Sequence, residues 1–195
     1  MVNVIILGNG SRERAIKDHM KNENVIICTT KEQVFELCKK QTIDLKGTDD
    51  IVVIGSETFL VGGIVDELLE MGVKCFGPSK KAAKIEGSKV FAKRFMRRHD
   101  IVTTDFYVFD NKANALDFIK IYDEDYVIKL DNLCAGKGVF IPQTYQESID
   151  IIERIYENDA NQVILIEKRI YGTECSVMGF CNGRAVYLMP QIVDY

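Results

Sequence analysis

Val2-Asn3-Val4-Ile5-Ile6-Leu7-Gly8-Asn9-Gly10 opens the chain as an apolar run broken only at Asn3 and closed by Gly-Asn-Gly, and the helical stretch Ser11–Lys21 follows. Val25–Cys28 is then a second short apolar run. Run, turn, helix and run in that order predict a β-α-β unit, because a parallel strand covered on both faces reads as near-continuous apolar sequence.

Working outward, Lys31–Lys40 has helical spacing at Val34, Leu37 and Cys38, Ile51–Ile54 is a third strand, Phe59–Met71 a helix, and Val73–Phe76 a fourth strand. Strands alternating with helices predict an α/β fold with a parallel sheet. Gly77-Pro78 punctuates the chain and Ser79 can cap a helix starting at Lys80, so a first domain is expected to close near residue 78. Lys80–His99 is basic and helical with a break at Gly87-Ser88. Then come a strand at Phe106–Phe109, a helix over Lys112–Ile121, a strand at Tyr126–Leu130, the turn Gly136-Lys137-Gly138, a strand at Val139–Ile141, a helix over Tyr145–Glu157 and a strand at Val163–Glu167. Glu174–Phe180 and Arg184–Met189, on either side of Cys181-Asn182-Gly183, predict an antiparallel hairpin.

The 195 residues, 47% hydrophobic and 28% charged, have the composition of an ordinary soluble globular protein with room for one or two domains. A net charge of −4 lacks the basic excess that duplex nucleic acid favours, although a few placed cations suffice for a small anion. The six cysteines show no Cys-x-x-Cys spacing, which favours reduced core thiols over a disulfide framework or zinc site. No apolar run reaches the roughly 18 residues of a transmembrane span, and the start lacks a basic leader; no membrane partner and a cytoplasmic location are expected. His19 and His99 sit in charged helical stretches and read as surface residues, and no metal site is assigned.

Gly8-Asn9-Gly10 stands where an α/β sheet offers backbone N–H groups to an anion, but glycines serving only a tight turn explain it equally well. Glu13 occupies the place of the third glycine of G-x-G-x-x-G, which argues against a dinucleotide. Gly136-Lys137-Gly138 is not a Walker loop; it is either a flexible flap with a cation over phosphates or a plain hairpin turn. Lys129, inside Tyr126-Val127-Ile128-Lys129-Leu130, tips that balance, because a lysine in an apolar strand needs an anionic partner. Glu167-Lys168-Arg169-Ile170 and Glu174, at the end of an apolar strand, suit an adenine and a ribose, or simply form a charged strand end.

Together these residues resemble the ATP-grasp superfamily and, within it, the glycinamide ribonucleotide synthetases, also called phosphoribosylamine–glycine ligases. Gly8-Asn9-Gly10-Ser11-Arg12-Glu13 resembles the family's G-N-G-G-R-E-H, and Gly55 through Asp66 resembles G-P-E-x-P-L-V-x-G-I-x-D. Phe76-Gly77-Pro78, Ala82-Ala83 and Glu86 through Lys93 follow F-G-P-x-x-x-A-A-x-x-E-x-S-K-x-F-x-K, and Leu133 through Val139 follows L-A-A-G-K-G-V. The resemblance implies a parallel-sheet (pre-ATP-grasp) domain at 1–78, connecting helices at 79–105, a small ATP-grasp lid domain at 106–172 and the start of the large ATP-grasp domain at 173–195.

It further implies a ligase that phosphorylates glycine with ATP and lets the amine of 5-phosphoribosylamine displace phosphate, in purine biosynthesis. Lys93 and Lys129 would contact ATP phosphates under a lid of Gly136, Lys137 and Gly138, with Lys129 and Lys137 the cations of the chemistry. Glu167, Lys168, Arg169 and Ile170 would form the adenine hinge and Glu174 would hold the ribose, while Gly10, Arg12, Glu13 and Glu57 would lie near phosphoribosylamine. The sequence departs from the family at Arg14 (histidine), Ser56 (proline) and Asn132 (glycine), and Thr29-Thr30 replaces a P-G-N-x-G-T loop. Pro190 through Tyr195 resembles P-x-x-x-D-[HY], which the family continues with as much chain again, including the carboxylate and amide ligands of Mg²⁺. The sequence is therefore expected to be the N-terminal part of such an enzyme, the alternative being a non-catalytic nucleotide-binding or interaction module derived from one.

Overall fold

The computed structural model describes residues 2–21, 23–39, 49–134 and 136–193. Lys40, Ala135, Asp194 and Tyr195, which figure in the segments and motifs above, lie outside the described residues. The first sheet is built from β1 (Asn3–Leu7), β2 (Asn24–Cys28), β3 (Ile51–Ile54) and β4 (Cys75–Phe76), with α1 (Ser11–His19), α2 (Lys31–Lys39), α3 (Glu57–Gly62) and α4 (Ile64–Glu70) between them. All of its neighbours are parallel, in the order β2-β1-β3-β4. Val4 through Leu7 are all buried, Ile5 and Leu7 in one core with Val34, Val52, Ile64 and Leu68, which is why β1 reads as unbroken apolar sequence. Each such aliphatic side chain contributes roughly 1.5–3 kcal/mol by leaving water.

The chain leaves β1 toward β2 on one side, then returns to build β3 and β4 on the other. The C-terminal ends of β1 and β3 therefore border a topological switch point, where open α/β sheets bind ligands. Leu7 pairs with Ile54 and the Gly55 N–H donates to the Leu7 carbonyl at 2.9 Å, which sets Gly8 and Gly55 side by side at that edge.

One expectation fails here. Phe59–Met71 is not one helix but the end of α3 and all of α4, separated by Gly63 at φ +99°. The Gly63 N–H turns back to the Phe59 and Leu60 carbonyls, a left-handed cap that a side chain would strain.

Two linking helices follow, α5 (Lys80–Gly87) and α6 (Lys89–Arg98), divided at Ser88 as the sequence predicts. The Ser88 hydroxyl accepts the Phe91 N–H at 3.0 Å, and Asp131 accepts the Val90 N–H and the Ser88 hydroxyl, each at 2.9 Å. Two otherwise orphaned helix donors are thus satisfied, one of them by the sequence-distant Asp131. Asp131→Ala is expected to cost about 1–2 kcal/mol, read as a lower denaturant midpoint at unchanged m-value. An unchanged midpoint would remove Asp131 as the anchor of α6.

The second sheet comprises β5 (Phe106–Phe109), β6 (Tyr126–Leu130), β7 (Val139–Phe140) and β8 (Ile164–Lys168), antiparallel in the order β5-β8-β6-β7, with α7 (Lys112–Ile121) and α8 (Tyr145–Asn158). Register sorts its side chains. Phe109, Ile128, Ile164 and Ile166 face α7 and α8 in one core. The alternate positions, Phe106, Leu165, Glu167, Val127 and Lys129, share the opposite face, where Val90 of α6 packs on Phe106 and Leu165.

The last elements are β9 (Cys175–Ser176), β10 (Gly179–Cys181), β11 (Val186–Leu188) and β12 (Ile192–Val193). The expected hairpin over Glu174–Phe180 and Arg184–Met189 shrinks to β10 and β11, while β9 pairs with β12. β10 and β11 are exposed along their whole length, so no buried face reinforces a longer pairing. None of the six cysteines forms a disulfide; Cys28 is buried as expected of a core thiol, but Cys175 and Cys181 lie exposed in this last segment. His19 and His99 are exposed, as their charged helices predict. No helix among the described residues is long and apolar enough to cross a membrane.

Candidate active site

At the switch point, Asn9, Gly10, Arg12, Glu13, Ser56 and Glu57 line a cavity of about 210 Å³. Glu13 does not face outward as a charge opposing a ligand. It is 3% exposed, and its Oε2 accepts the Gly10 N–H at 2.5 Å, capping its own helix. A Cβ at Gly55 would lie 2.2 Å from its Oε1 and one at Gly8 2.7 Å from its Cδ. These glycines therefore leave room for a buried carboxylate, a use that local spacing did not reveal. Arg12 reaches Glu57 at 3.6 Å and the Gly55 carbonyl at 3.4 Å.

The second site lies on the α6 face of the antiparallel sheet. Lys93 follows the sheet-packed Val90 by three positions on α6, so both fall on the same side of the helix. Its Nζ lies 2.8 Å from Glu167 Oε2 on β8, and Lys129 on β6 reaches the same oxygen at 3.1 Å. The side chains of Glu167, Lys93 and Lys129 are 3%, 13% and 27% exposed. Lys129 thus has the anionic partner its apolar strand demands, and that partner is internal. Lys93 also donates to Thr103 Oγ1 at 2.7 Å and Thr104 Oγ1 at 2.8 Å, and the Thr104 hydroxyl donates to Glu167 Oε2 at 3.1 Å. Burial by itself would push the Glu167 carboxyl up, but the Lys93 hydrogen bond and the Lys129 charge outweigh it and hold it below the usual range. The other oxygen, Oε1, is buried without a hydrogen-bond partner.

Two clefts meet at this cluster. One, of about 360 Å³, is lined by Glu57, Lys89, Lys93, Lys129, Gly136, Gly138 and Glu167, among others. The adjoining one, of about 560 Å³, is lined by Thr104, Lys129, Glu167, Lys168, Arg169, Ile170 and Glu174, among others. Glu57 also borders the switch-point cavity, so the lysine cleft and that cavity share this side chain in their walls. Lys137 is exposed at the tip of the β6–β7 loop and lines neither cleft. Lys168 pairs outward with Glu124 at 2.8 Å, and the Arg169 guanidinium stacks 4.6 Å from the Tyr171 ring centroid.

Sequence reasoning passed over Thr103, Thr104 and Lys89. Two adjacent threonines before a strand carry no local signal, whereas Lys89 sat in a matched motif. The Lys89 ammonium donates to the Asn132 carbonyl at 2.8 Å, tying α6 to the start of the glycine loop. Among the described residues, no group of three or more His, Cys, Asp or Glu side chains could hold a metal ion. These residues do not form a Mg²⁺ centre.

Residues 2–86 match the phosphoribosylglycinamide synthetase N domain, and residues 87–195 match the ATP-grasp (A) domain of the same synthetase. A phosphoribosylamine–glycine ligase of Caldanaerobacter subterraneus is 36% identical over 98% of this chain and 51% of its own length. A bifunctional purine biosynthetic protein of Dictyostelium discoideum is 36% identical over 99% of this chain and 26% of its own. The crystal structure of the phosphoribosylamine–glycine ligase of Thermotoga maritima superposes with a TM-score of 0.73 at 30% identity, over 97% of this chain and 49% of that one. A D-alanine–D-alanine ligase of Bacillus anthracis, at 21% identity and a TM-score of 0.69, shares the fold. The chain spans about half the length of the curated ligases it matches. With both domain models matched in order along one chain, this protein belongs to the phosphoribosylglycinamide synthetase family.

Proposed function

We propose that the chain carries the nucleotide-binding and ribosylamine-binding portion of a ligase that joins glycine to 5-phosphoribosylamine with ATP, giving glycinamide ribonucleotide in purine biosynthesis. The observation that carries this reading is Glu57, which borders both the lysine cleft and the switch-point cavity. An ATP laid along the sheet face, with its base by Glu167 through Ile170 and its ribose by Glu174, would point its phosphates past Lys129 toward that junction. A carboxylate accepts an amine only after activation, and a glycyl phosphate formed there would meet an amine held by Gly10 and Arg12. The residues present bind, orient and neutralise charge, which is most of what phosphoryl transfer asks of a protein.

Adenine suits the cluster because its exocyclic amine is a donor and Glu167 Oε1 is a buried acceptor without one. The Gly136–Gly138 loop acts as a lid, with Lys137 brought over the phosphates only when it closes. Mg²⁺ would be held by residues outside this cluster. Residues 1–78 bind the ribosylamine, 79–105 connect, 106–172 cover ATP and 173–195 begin the large ATP-grasp domain. Six cysteines outside any disulfide accord with a reducing, cytoplasmic setting.

Lys129→Ala is expected to weaken ATP binding roughly ten- to hundredfold in calorimetric titration, because it removes a charge-assisted contact. Unchanged affinity would take Lys129 out of the site. The ligase reading is tested by ADP release from the whole polypeptide in which this sequence occurs. Release that requires both glycine and phosphoribosylamine supports it; ATP binding with no such release favours the non-catalytic module.

A further inference from the structure

Cys134 stands where the family's L-A-A-G-K-G-V motif has its first alanine, so the glycine loop of this chain begins with a nucleophile to which the resemblance gives no role. It is half-buried and lines the lysine cleft together with Lys89, Lys93 and Lys129. Its sulfur lies 3.6 Å from the Asn132 carbonyl oxygen, and the Lys89 ammonium donates to that same oxygen at 2.8 Å, which stands a cation beside the thiol. The cleft carries an independent mark of a ligand site: Glu167 in its wall is 3% exposed, yet its Oε1 has no hydrogen-bond partner. None of the other five cysteines lines this cleft.

Behind the Cys134 sulfur there is no room. The Lys137 N–H closes the turn onto the Cys134 carbonyl at 2.9 Å, and Gly138 returns so close that a Cβ on it would lie 2.5 Å from Sγ. Any group bonded to that sulfur must project into the cleft or force Gly138 away, and both outcomes disturb the loop that would cover phosphates. Partly exposed thiols in electropositive surroundings are the ones that exchange with disulfides, and the cleft's three ammonium groups draw anionic reagents first. Burial pushes the Cys28 and Cys75 thiols up, which leaves little thiolate there to react.

We propose that Cys134 is a reversible thiolation site, capped by a small anionic disulfide, and that the cap bars the lysine cleft to nucleotide. The Cys134 sulfur, its proton passed to water, attacks one sulfur of the disulfide. That S–S bond breaks, a new S–S bond to Cys134 forms, and the second half leaves as a thiolate that takes up a proton. Cys134 is oxidised, the reagent is reduced, and a free thiol reverses the step. The capping rests on the cleft alone, while its consequence rests on the nucleotide reading above.

The test treats the 195-residue chain, as wild type and as Cys134→Ala, with oxidised glutathione or with the uncharged hydroxyethyl disulfide, and maps the capping rate at each cysteine by peptide mass spectrometry. Relative to the exposed Cys175 and Cys181, Cys134 should prefer the anionic reagent by about fivefold or more, the effect of charge steering at modest ionic strength. ATP at ten times its dissociation constant should slow capping of Cys134 about tenfold by mass action and leave Cys175 and Cys181 unaffected. In calorimetric titration, glutathione-capped wild type should bind ATP at least about tenfold more weakly, with affinity restored by dithiothreitol. Cys134→Ala, which carries the family's residue, should bind ATP within about twofold of the wild type before and after the same treatment. The protection measurement needs no variant and decides the matter even if Cys134→Ala does not fold. Uncapped Cys134, capping that ATP does not slow, or capping that leaves ATP affinity unchanged overturns the inference while the nucleotide reading stands. Untreated wild type that binds no ATP overturns both.

Discussion

Glu167→Leu is expected to destabilise the protein by about 3 kcal/mol, because it leaves Lys93 and Lys129 facing one another across a cleft wall with no counter-charge. The penalty lies in the orphaned cations rather than in a lost attraction. Pairing Glu167→Leu with Lys93→Met should therefore recover a sizeable part of it, since a buried ion pair replaced on both sides by apolar groups is often nearly neutral. Urea denaturation of the wild type and the single and double variants checks this. A double variant as unstable as the sum of the singles would mean that the groups do not interact. The wild type should also respond to acid. The folded-state carboxyl of Glu167 is held below its ordinary value of 4.5, so its contribution is fully present above that pH and is lost as the pH falls through the lowered value. Glu167→Gln should flatten the stability profile in that acid window and leave its slope near neutral pH unchanged.

The second large effect is expected at Gly55. A methyl group there would sit 2.2 Å from Glu13 Oε1 and 2.5 Å from its Cγ, so Glu13 must leave its place. Its departure frees the Gly10 N–H and disturbs the first turn of α1 at the switch point. Gly55→Ala should cost about 2–3 kcal/mol, from overpacking and the lost cap together. Removing the obstacle should reverse much of this. Glu13→Ala combined with Gly55→Ala should be more stable than Gly55→Ala alone, a positive coupling measurable by a double-mutant cycle. Additive losses would show that Glu13 does not fill the space above Gly55.

The strand and helix order was legible because the signals are local. Val4–Leu7 is buried on both faces, Ile51–Ile54 is apolar throughout with Val52 and Ile54 buried, and Gly87-Ser88 marks a break that Ser88 caps. The single helix expected over Phe59–Met71 failed at a local competitor, since Gly62-Gly63 lies inside an otherwise helical apolar pattern and Gly63 adopts a conformation that ends α3. The terminal hairpin failed because alternation alone does not hold two strands together when neither face is buried.

The site was legible in part for the same reason. Lys129 announced itself as a charge in an apolar strand, but its partner Glu167 is a neighbour only through the β6–β8 register, which pairs Val127 with Glu167 and so puts Lys129 and Glu167 on one face. Lys93 joins them through the packing of α6 on that sheet. Thr104 has no signature at all apart from that geometry. Glu13, read from spacing as a charge unfavourable to a phosphate, turns inward instead and caps α1.

In the proposed function ATP would lie along the α6 face of the antiparallel sheet, with its base near Glu167 through Ile170 and its phosphates by Lys129 and Gly136–Gly138, toward Glu57. Amide chemical-shift mapping of the 195-residue chain with ATP and, separately, with adenosine tests this most directly. Both ligands should move Glu167 through Ile170, and ATP alone should further move Lys129, Gly136, Gly138 and Glu57. Shifts confined to the α7–α8 face, or identical maps for the two ligands, would contradict it.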